Sequence, residues 1–483
     1  MGIVMFDGER GERTADGLRD FYAGHRSAQD PLEVFRRAAA DVPAYREFLS
    51  AQGVDPATVT ELSQIPLMTK DNYLRRYELP GRCHGGDLAA AGEVVAVSSG
   101  SSGRPTVWPR SVLDERAVAD RFELVFAGGF RAAERRTLAV VCFALGNWVG
   151  GMYTVAACRH LAAKGYPMTV AAPGNNVDEI LRVVAELGGF YDQVVLLGYP
   201  PFVKNVVDTG LAGGVDWPAY RIKVVVAGEV FSEQWRDLIA ARTGMTDPVT
   251  DVAALYGTAD AGVLGTETPL SVRIRRFLAG RPEVAGPLFG DTRLPTLVQF
   301  DPGSRWFETV DGTLAFTADG AVPLLRYHIA DDGGVLGRDD LLAQLRRHGF
   351  DPGDGPDLPF VYVFGRSMFT VSFYGANIYP ETVAVAVERP PVADRVTGRF
   401  VLETVEDADR DRRLSVVVEL APGVAAEPDL PGRIADAIRA ELVRVNSEYA
   451  NYVPAARQTP DVELRPAGDP EYFPAGVKHR YSR

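Results

Sequence analysis

The sequence predicts an α/β protein with a large N-terminal domain of stacked sheets and helices and a small α+β C-terminal domain. The chain has 483 residues, more than a single hydrophobic core normally serves. In its middle part, short apolar segments alternate with helical patterns, as in sheets that helices cover on both faces. The composition changes in the last part, of about a hundred residues. We place the boundary at a hinge, residues 365–369, between domains of residues 1–364 and 370–483.

The alternation in the large domain starts with a helix near Asp30. Asp30 can cap this helix, Pro31 suits its first position, and Glu33 can complete a capping box. The apolar segments that predict strands are Glu93–Val97, Leu138–Phe143, Met168–Ala172, Val194–Leu197 and Lys223–Ala227. The helices predicted among and after them are Val177–Leu187 and Glu233–Arg242. Together they predict largely parallel, buried sheets.

The C-terminal domain has a different pattern. Phe400–Glu403 and Leu414–Leu420 predict strands, and Leu430–Val445 predicts an amphipathic helix. The segments Ala421–Asp429 and Pro454–Pro474 are rich in proline and acidic residues and predict loops.

The composition excludes several classes of function. The 51 Lys and Arg residues face 64 Asp and Glu, a formal net charge of −13, so attraction to nucleic acid or an anionic membrane is not expected. Cys83, Cys142 and Cys158 form no CxxC pair and no Cys/His cluster, which indicates neither a disulfide framework nor a zinc site. The sequence shows neither a membrane-spanning segment nor a signal peptide, and we expect a cytoplasmic protein.

A Ser/Gly-rich loop after a predicted strand gives the first indication of chemistry. Its glycines let consecutive N–H groups turn toward an anion, and its hydroxyls and guanidinium add donors, so the loop suits phosphate. A flexible polar linker is the alternative, and the loop lacks a Walker A ending. The loop residues are Ser98, Ser99, Gly100, Ser101, Ser102, Gly103 and Arg104.

Four motifs follow the loop in order, and a signature precedes it. The motifs are Tyr256-Gly257-Thr258-Ala259-Asp260, Tyr327-His328-Ile329-Ala330-Asp331, Gly365-Arg366 with Gly375 through Glu381, and Gly476-Val477-Lys478; the signature is Ile65-Pro66-Leu67-Met68-Thr69-Lys70-Asp71. In order and spacing they resemble the adenylate-forming superfamily of acyl-CoA synthetases, adenylation domains and luciferases. The signature is similar to that of the phenylacetate–CoA ligase branch. The likeness runs from about residue 30 to the end.

The resemblance implies roles for the second motif. The aromatic residue stacks on adenine and the acidic residue binds Mg²⁺, which points to Tyr256 and Asp260, with Gly257 at the nucleotide. Ala259 stands where the family has a phosphate-contacting hydroxyl, and we expect Thr258 to supply one. The alternatives are a core aromatic for Tyr256 and a cap or turn residue for Asp260.

In the family that they resemble, the later motifs contact the ribose, the nucleotide and the acyl phosphate. The resemblance implies that Asp331 accepts hydrogen bonds from the ribose hydroxyls, that Arg366 contacts the nucleotide, and that Lys478 stabilises charge at the α-phosphate. The alternatives are an acidic turn, a surface arginine and a solvated tail. Met368 and Phe369 replace the family's two hinge acids, which puts the usual domain rotation in doubt.

Two further segments complete the expected site. Gly228 and Glu229 resemble the segment that packs on the other face of adenine. Phe143, Trp148 and Gly150 match the acid-binding segment loosely and could form a flat slot for an aromatic or short apolar acid. Ordinary core aromatics are an equally good interpretation.

The resemblance predicts that the enzyme converts ATP, with Mg²⁺, and a carboxylic acid to an acyl-adenylate and pyrophosphate, and then transfers the acyl group. Coenzyme A is the expected acceptor, and a carrier-protein pantetheine, an amine or a nitrogen-centred acceptor is also open. A degenerate nucleotide-binding member, an acyl-transfer component of a larger assembly, and a homodimer remain alternatives.

Overall fold

A computed structural model of the chain describes residues 30–97, 106–291, 294–366, 371–473 and 481–482. They form two compact units. The larger contains residues 30–96, 107–198 and 203–364; the smaller contains most of the described residues after Phe364, together with Tyr199–Phe202. The division thus falls between Phe364 and Gly365. The separate roles assigned to the two domains stay predictions.

The helices of the described residues begin with a capped helix, as predicted. Asp30 accepts a hydrogen bond from the Leu32 backbone N–H at 2.9 Å and Pro31 takes the first position, although the reciprocal bond expected of Glu33 is not among the described contacts. None of these helices is both long and apolar enough to cross a membrane. They are α1 Pro31–Asp41, α2 Pro43–Ala51, α3 Leu88–Ala91, α4 Val112–Glu123, α5 Val149–Lys164, α6 Val177–Leu187, α7 Pro200–Ala212, α8 Glu233–Thr243, α9 Pro248–Asp251, α10 Pro269–Ala279, α11 Pro282–Phe289, α12 Arg338–Arg346, α13 Pro380–Val387, α14 Leu430–Val445 and α15 Ser447–Tyr452.

The strands follow the sequence predictions closely in the first half of the chain and extend well beyond them in the second. They are β1 Val94–Val97, β2 Val107–Arg110, β3 Thr137–Val141, β4 Met168–Ala171, β5 Gln193–Gly198, β6 Lys223–Ala227, β7 Val252–Thr258, β8 Gly262–Thr266, β9 Thr296–Gln299, β10 Trp306–Val310, β11 Thr313–Ala318, β12 Leu324–Leu336, β13 Phe360–Arg366, β14 Val371–Phe373, β15 Ala376–Ile378, β16 Val396–Glu406, β17 Arg412–Leu420 and β18 Asp461–Arg465.

One mixed sheet dominates the larger unit. Within the described residues it has eleven strands in the order β10-β11-β12-β13-β9-β8-β7-β6-β5-β3-β4. Strands β3 to β7 are parallel, as the apolar runs predicted. The pairs β7–β8, β8–β9, β9–β13, β12–β11 and β11–β10 are antiparallel. The expectation of largely parallel pairing, drawn from the apolar runs up to Ala227, is therefore correct for β3 to β6, and the antiparallel strands come from segments for which it was not made.

Two sequence expectations about individual segments are also corrected. The predicted strand Glu93–Val97 exists as β1, but it pairs only with β2 in a small separate sheet of the described residues. The predicted loop Pro454–Pro474 contains a strand, β18, which pairs in parallel with β17. This strand is short and three of its five residues are charged. It therefore lacks the apolar run that predicts a buried strand.

The N-terminal helices pack on the large sheet through aromatic side chains. Phe35, Tyr45, Phe48 and Tyr73 are at most 1% exposed and share one core with Tyr327 of β12. Their rings meet mostly edge to face, with centroids 5.5–6.2 Å apart. Since burying a large apolar side chain stabilises by about 1.5–3 kcal/mol, this cluster firmly holds the first helices on the antiparallel half of the sheet.

His84 lies between two carboxylates at the base of these helices. Its Nδ1 is 2.8 Å from Asp41 Oδ2, its Nε2 is 3.5 Å from Asp319 Oδ1, and Asp319 also pairs with Arg37 at 2.7 Å. The hydrogen bond to Asp319 raises the pKa of His84; burial opposes this rise and Asp41 adds to it. The imidazolium thus links helix α1 to the turn that follows β11.

We expect the stabilisation from His84 to disappear as the pH rises. A raised pKa means that the pair contributes fully below the unfolded pKa of about 6.5 and is lost as the pH passes the higher folded value. The difference in unfolding free energy between wild type and His84→Gln should shrink by on the order of 0.5–1 kcal/mol from about pH 6 to about pH 9, since the pair is partly exposed. Urea denaturation measures this difference, with the exposed His348→Gln as control. A constant difference would contradict the prediction.

Candidate active site

Several predicted site residues lie outside the described residues. These are the Ser/Gly loop, Ser98 through Arg104, the C-terminal Lys478, and the hinge residues Met368 and Phe369. Arg366 is the last residue of β13, and only its backbone is described. Their roles therefore stay predictions, and the geometry below concerns the second and third motifs and their neighbours.

Two hydrogen bonds from tyrosine hydroxyls to carboxylates join the second and third motifs. Tyr256 Oη donates to Asp331 Oδ2 at 2.8 Å, and Tyr327 Oη donates to Asp260 Oδ2 at 2.7 Å. All four residues are buried. Each motif thus supplies one phenol and one carboxylate, and each phenol binds the carboxylate of the other motif. Hydrogen bonds to charged groups are worth about 1.5–3 kcal/mol each, so this reciprocal pair fixes the motifs against each other.

The reciprocal pair requires a curled sheet. Strands β7 and β12 are four places apart in the strand order, which in a flat sheet would separate them by about 19 Å. Strand twist, together with a break in the regular pairing, can bring the two strands closer. Such breaks are present: the register shifts between Tyr256 and Gly257, and β8 pairs with β9 at a single position, Thr266 with Gln299.

Asp260 is held by residues from two other parts of the chain. Its Oδ2 lies 3.4 Å from Lys70 Nζ. Arg110 Nη2, at the end of β2, donates to the carbonyl oxygens of Ala259 and Asp260 at 2.7 and 2.9 Å. Met68 forms a short parallel bridge with Tyr327, which fixes the Lys70 segment beside β12. The acid therefore occupies a buried position with a cation next to one oxygen.

The other carboxylate oxygen of Asp260 is available to a ligand. Asp260 Oδ1 is buried and has no hydrogen-bond partner among the described residues. A buried acceptor without a partner is costly, and Mg²⁺ is typically held by one or two carboxylates together with phosphates and water. No cluster of three metal-ligating side chains occurs among the described residues. The donor set thus fits Mg²⁺ held jointly with a nucleotide, and not a cage made of protein alone.

Asp331 lies inside strand β12. The sequence Asp-Asp-Gly-Gly also suggested an acidic turn, and the structure shows that this alternative is wrong. A Cβ atom on Gly333 or Gly334 would collide with Tyr362 of β13, so these glycines serve close strand packing. Just before Asp331, Ala330 has a φ of +56°, a left-handed conformation that is strained for a residue with a side chain.

The turn between β7 and β8 sets the position of Asp260. Thr258 Oγ1 accepts a hydrogen bond from the Ala261 backbone N–H at 3.1 Å, which leaves the hydroxyl proton of Thr258 to donate elsewhere. A Cβ atom on Gly257 would approach the Gly262 carbonyl oxygen to 2.6 Å, so only glycine fits there. The role of Thr258 as a phosphate donor stays a prediction.

A polar cavity adjoins Asp260. Its volume is about 10 Å³, which is room for about one water molecule. Its polar lining consists of Arg110, Asp114, Tyr153, Asp260, Arg305 and Asp319. Both arginines are buried, and Arg110 lies over the rings of Trp108 and Tyr153, each at 5.4 Å. This side of the site thus combines positive and negative charge and suits polar rather than apolar groups.

The remaining predicted residues lie on other segments of the larger unit. Gly228, with a φ of +87°, and Glu229 follow the end of β6. Phe143 is buried in the core, and Trp148 and Gly150 are half-buried at the start of helix α5. The cavity residue Tyr153 lies on that same helix. The substrate-binding role of Phe143, Trp148 and Gly150 stays a prediction.

Sequence reasoning did not assign a role to Lys70, Arg110, Tyr153, Arg305 or Tyr327. Lys70 and Tyr327 stand within motifs that the resemblance includes, so their place in the series could have drawn attention to them. For Arg110, Tyr153 and Arg305 we find no signal in the sequence, because their location beside Asp260 depends on how distant segments pack.

The comparisons with known proteins bear on the fold. No protein-family model and no curated protein sequence matches the chain. A 2-hydroxyisobutyryl-CoA ligase in complex with 2-HIB-AMP and CoA, in the thioesterification state, matches with a TM-score of 0.62 and 16% identity over 99% of this chain and 90% of that chain. An open conformation of that ligase gives a TM-score of 0.52 and 15% identity over 99% and 92%. A postadenylation state gives 0.51 and 14% over 99% and 90%. The chain has the fold of the adenylate-forming ligases, which confirms the fold that the resemblance implied.

We expect Tyr327→Phe to destabilise the chain by about 1–3 kcal/mol, because the buried Asp260 carboxylate loses a donor. Urea denaturation measures the change. The matched control is Tyr449→Phe, which removes a buried phenol that donates to a neutral backbone carbonyl, that of Gln458. The loss at Tyr327 should be the larger of the two, and an equal or smaller loss would contradict the role given to this hydrogen bond.

Proposed function

We propose that this chain is an adenylate-forming ligase that activates a carboxylic acid with ATP. The observation that carries the proposal is the reciprocal pair of tyrosine–aspartate hydrogen bonds, within the fold of such ligases. It brings together the residues to which the resemblance assigns the adenine, the ribose and the metal: Tyr256, Asp331 and Asp260. The phenylacetate–CoA ligase branch is part of the proposal and rests on the sequence motifs.

The first step is the attack of the substrate carboxylate on the α-phosphorus of ATP. A carboxylate–phosphorus bond forms, the bond to the β-phosphate oxygen breaks, and pyrophosphate leaves. The nucleophile is already ionised at neutral pH, so this step needs no general base. Catalysis therefore comes from positioning and from neutralising phosphate charge.

Each residue has a defined part in that positioning. The ring of Tyr256 offers a flat surface to adenine, and its hydroxyl keeps Asp331 oriented toward the ribose hydroxyls. Mg²⁺, when bound, would neutralise phosphate charge, and Asp260 Oδ1 is the atom that would hold it. Lys478 stabilises charge at the α-phosphate and Arg366 contacts the nucleotide; both roles rest on motif order.

The acid substrate and the acyl acceptor are proposed as chemical classes. Phe143, Trp148 and Gly150 favour an aromatic or short apolar acid. Coenzyme A is the proposed acceptor of the second step, supported by the similar ligase that binds 2-HIB-AMP and CoA. A carrier-protein pantetheine or an amine is the alternative acceptor. Thioester formation with free coenzyme A distinguishes the first from the others.

A degenerate nucleotide-binding protein is the second candidate function. Ala259 motivates it, because an alanine replaces a hydroxyl that would contact phosphate. Such a protein would bind ATP without forming an adenylate. ATP–pyrophosphate exchange separates the two functions directly.

We expect acid-dependent ATP–pyrophosphate exchange from the purified chain, across a panel of aromatic and aliphatic acids. Lys478→Ala should lower the exchange rate by on the order of 10²–10³-fold, since it removes a cation at the charge that develops in the transition state. Lys164→Ala is the control, because Lys164 pairs with Glu123 on the surface. Absence of exchange with every acid would sink the proposal.

Thr258→Ala tests the substitute hydroxyl in the same assay. Loss of one hydrogen bond to a charged group costs about 1.5–3 kcal/mol, so the rate should fall by on the order of 10–100-fold. Thr250→Ala is the control, since the Thr250 hydroxyl donates to Asp247 and Asp251 at helix α9. A full exchange rate in Thr258→Ala would show that this hydroxyl takes no part.

A further inference from the structure

Four charged side chains form a buried cluster beside strand β7, outside the motifs described above. Glu233, Arg236, Glu267 and Arg275, here called the four-charge cluster, are each at most 6% exposed. Arg236 binds Glu267 at 2.8 Å and Glu233 at 2.9 Å, and Arg275 binds Glu267 at 2.9 Å. Two positive and two negative groups thus neutralise one another in the core.

The central members of the cluster stay ionised. Burial alone would lower the pKa of Arg236, but the carboxylates of Glu267 and Glu233 outweigh it and raise that pKa. Burial alone would raise the pKa of Glu267, but Arg236 and Arg275 outweigh it and lower that pKa. The structure therefore contains real buried ion pairs in place of neutral hydrogen-bonded groups.

The cluster holds strand β7 close to Tyr256. The Glu267 carboxylate accepts a hydrogen bond from the Ala254 N–H at 2.8 Å, and the Glu267 N–H donates to the Ala254 carbonyl at 2.7 Å. Arg236 donates to the carbonyl of Val252. Ala254 precedes Tyr256 by two residues on one strand, so these bonds fix the backbone that presents the Tyr256 ring.

The cluster also holds the segment that follows Gly228 and Glu229. Arg275 Nη2 donates to the Phe231 carbonyl oxygen at 2.8 Å. The guanidinium groups of Arg236 and Arg275 lie over the Phe231 ring, at 5.0 and 5.4 Å from its centroid. Phe231 is two residues beyond Glu229. One cluster therefore holds both segments to which the resemblance assigns the two faces of adenine.

The energetics of buried ion pairs indicate that the cluster orients the two backbone segments more than it stabilises the fold. Replacing a buried ion-pair group by apolar residues of similar volume is often neutral or stabilising, whereas removing one partner is strongly destabilising. We propose that the four-charge cluster positions the two adenine-facing segments and so sets the affinity for ATP. Its members are positioning residues, and the inference rests on the proposed function.

The test compares a broken cluster with a neutralised one. Glu267→Gln leaves two buried arginines with a single carboxylate, Glu233, between them. This excess positive charge should lower both the melting temperature and the ATP affinity. Arg236→Met/Glu267→Met removes one positive and one negative charge together and leaves Arg275 paired with Glu233 at 3.2 Å, so the melting temperature should recover. The KM for ATP in exchange, and the Kd by calorimetry, should stay raised by about tenfold with kcat within about threefold, because binding and not chemistry is affected.

Trp217→Phe is the matched control for lost stability. Trp217 is fully buried and its indole N–H donates to the Val207 carbonyl, so its loss should lower the melting temperature without changing KM or Kd. Recovery of ATP affinity along with stability in the double variant would overturn the proposal. Wild-type affinity in both cluster variants would overturn it as well.

The same data separate this inference from the proposed function. Nucleotide binding by the wild type without acid-dependent exchange would reject adenylation and leave the cluster's effect on Kd to be judged by itself. A wild-type chain that binds no ATP would reject both.

Discussion

The two phenol-to-carboxylate hydrogen bonds are the constraint on which the rest of the site depends. They join residues 75 and 67 positions apart in the chain, on β12 and at the end of β7, two strands that are not neighbours in the sheet. The bonds form only if the sheet curls, and the curl follows from the bulge after Tyr256 and the brief pairing of β8 with β9. The irregular strand pairing therefore allows the two motifs to meet. Such irregularities are common where strands carry functional residues.

The candidate site is assembled from segments that lie far apart in the chain. The motif residues Tyr256, Asp260, Tyr327 and Asp331 form its centre. Lys70 reaches Asp260 from the N-terminal region on one side. The four-charge cluster bonds to the backbone of the two segments that are proposed to face adenine, at Ala254 and Phe231. Supporting residues of this kind hold a few groups in place, which matters most where catalysis depends on positioning.

The sequence predicts the parallel half of the large sheet well, because β5 and β6 are buried on both faces and appear as continuous apolar runs. It predicts the antiparallel half poorly. In that half, β12 contains the Asp-Asp-Gly-Gly stretch typical of a turn. In the separate C-terminal sheet, β18 is short and three of its five residues are charged. The motif order selected Tyr256, Asp260 and Asp331, which together with Tyr327 form two hydrogen-bonded pairs; their roles stay predictions. Their reciprocal bonding, and the approach of Arg110, follow from packing between distant segments, which local pattern does not encode.

The attachment of the N-terminal helices to strand β12 has a consequence for biosynthesis. Arg326 donates a hydrogen bond to the Ile65 carbonyl oxygen across 261 residues of chain, and Phe35, Tyr45 and Phe48 share a core with that strand. At about 5–20 residues per second, a ribosome needs roughly 10–50 s to deliver this partner after residue 65 has been made. During that interval the aromatic face of the first helices has no native surface to cover it. The nascent chain is therefore most exposed to aggregation, and most dependent on chaperones, before its last large-sheet strands emerge.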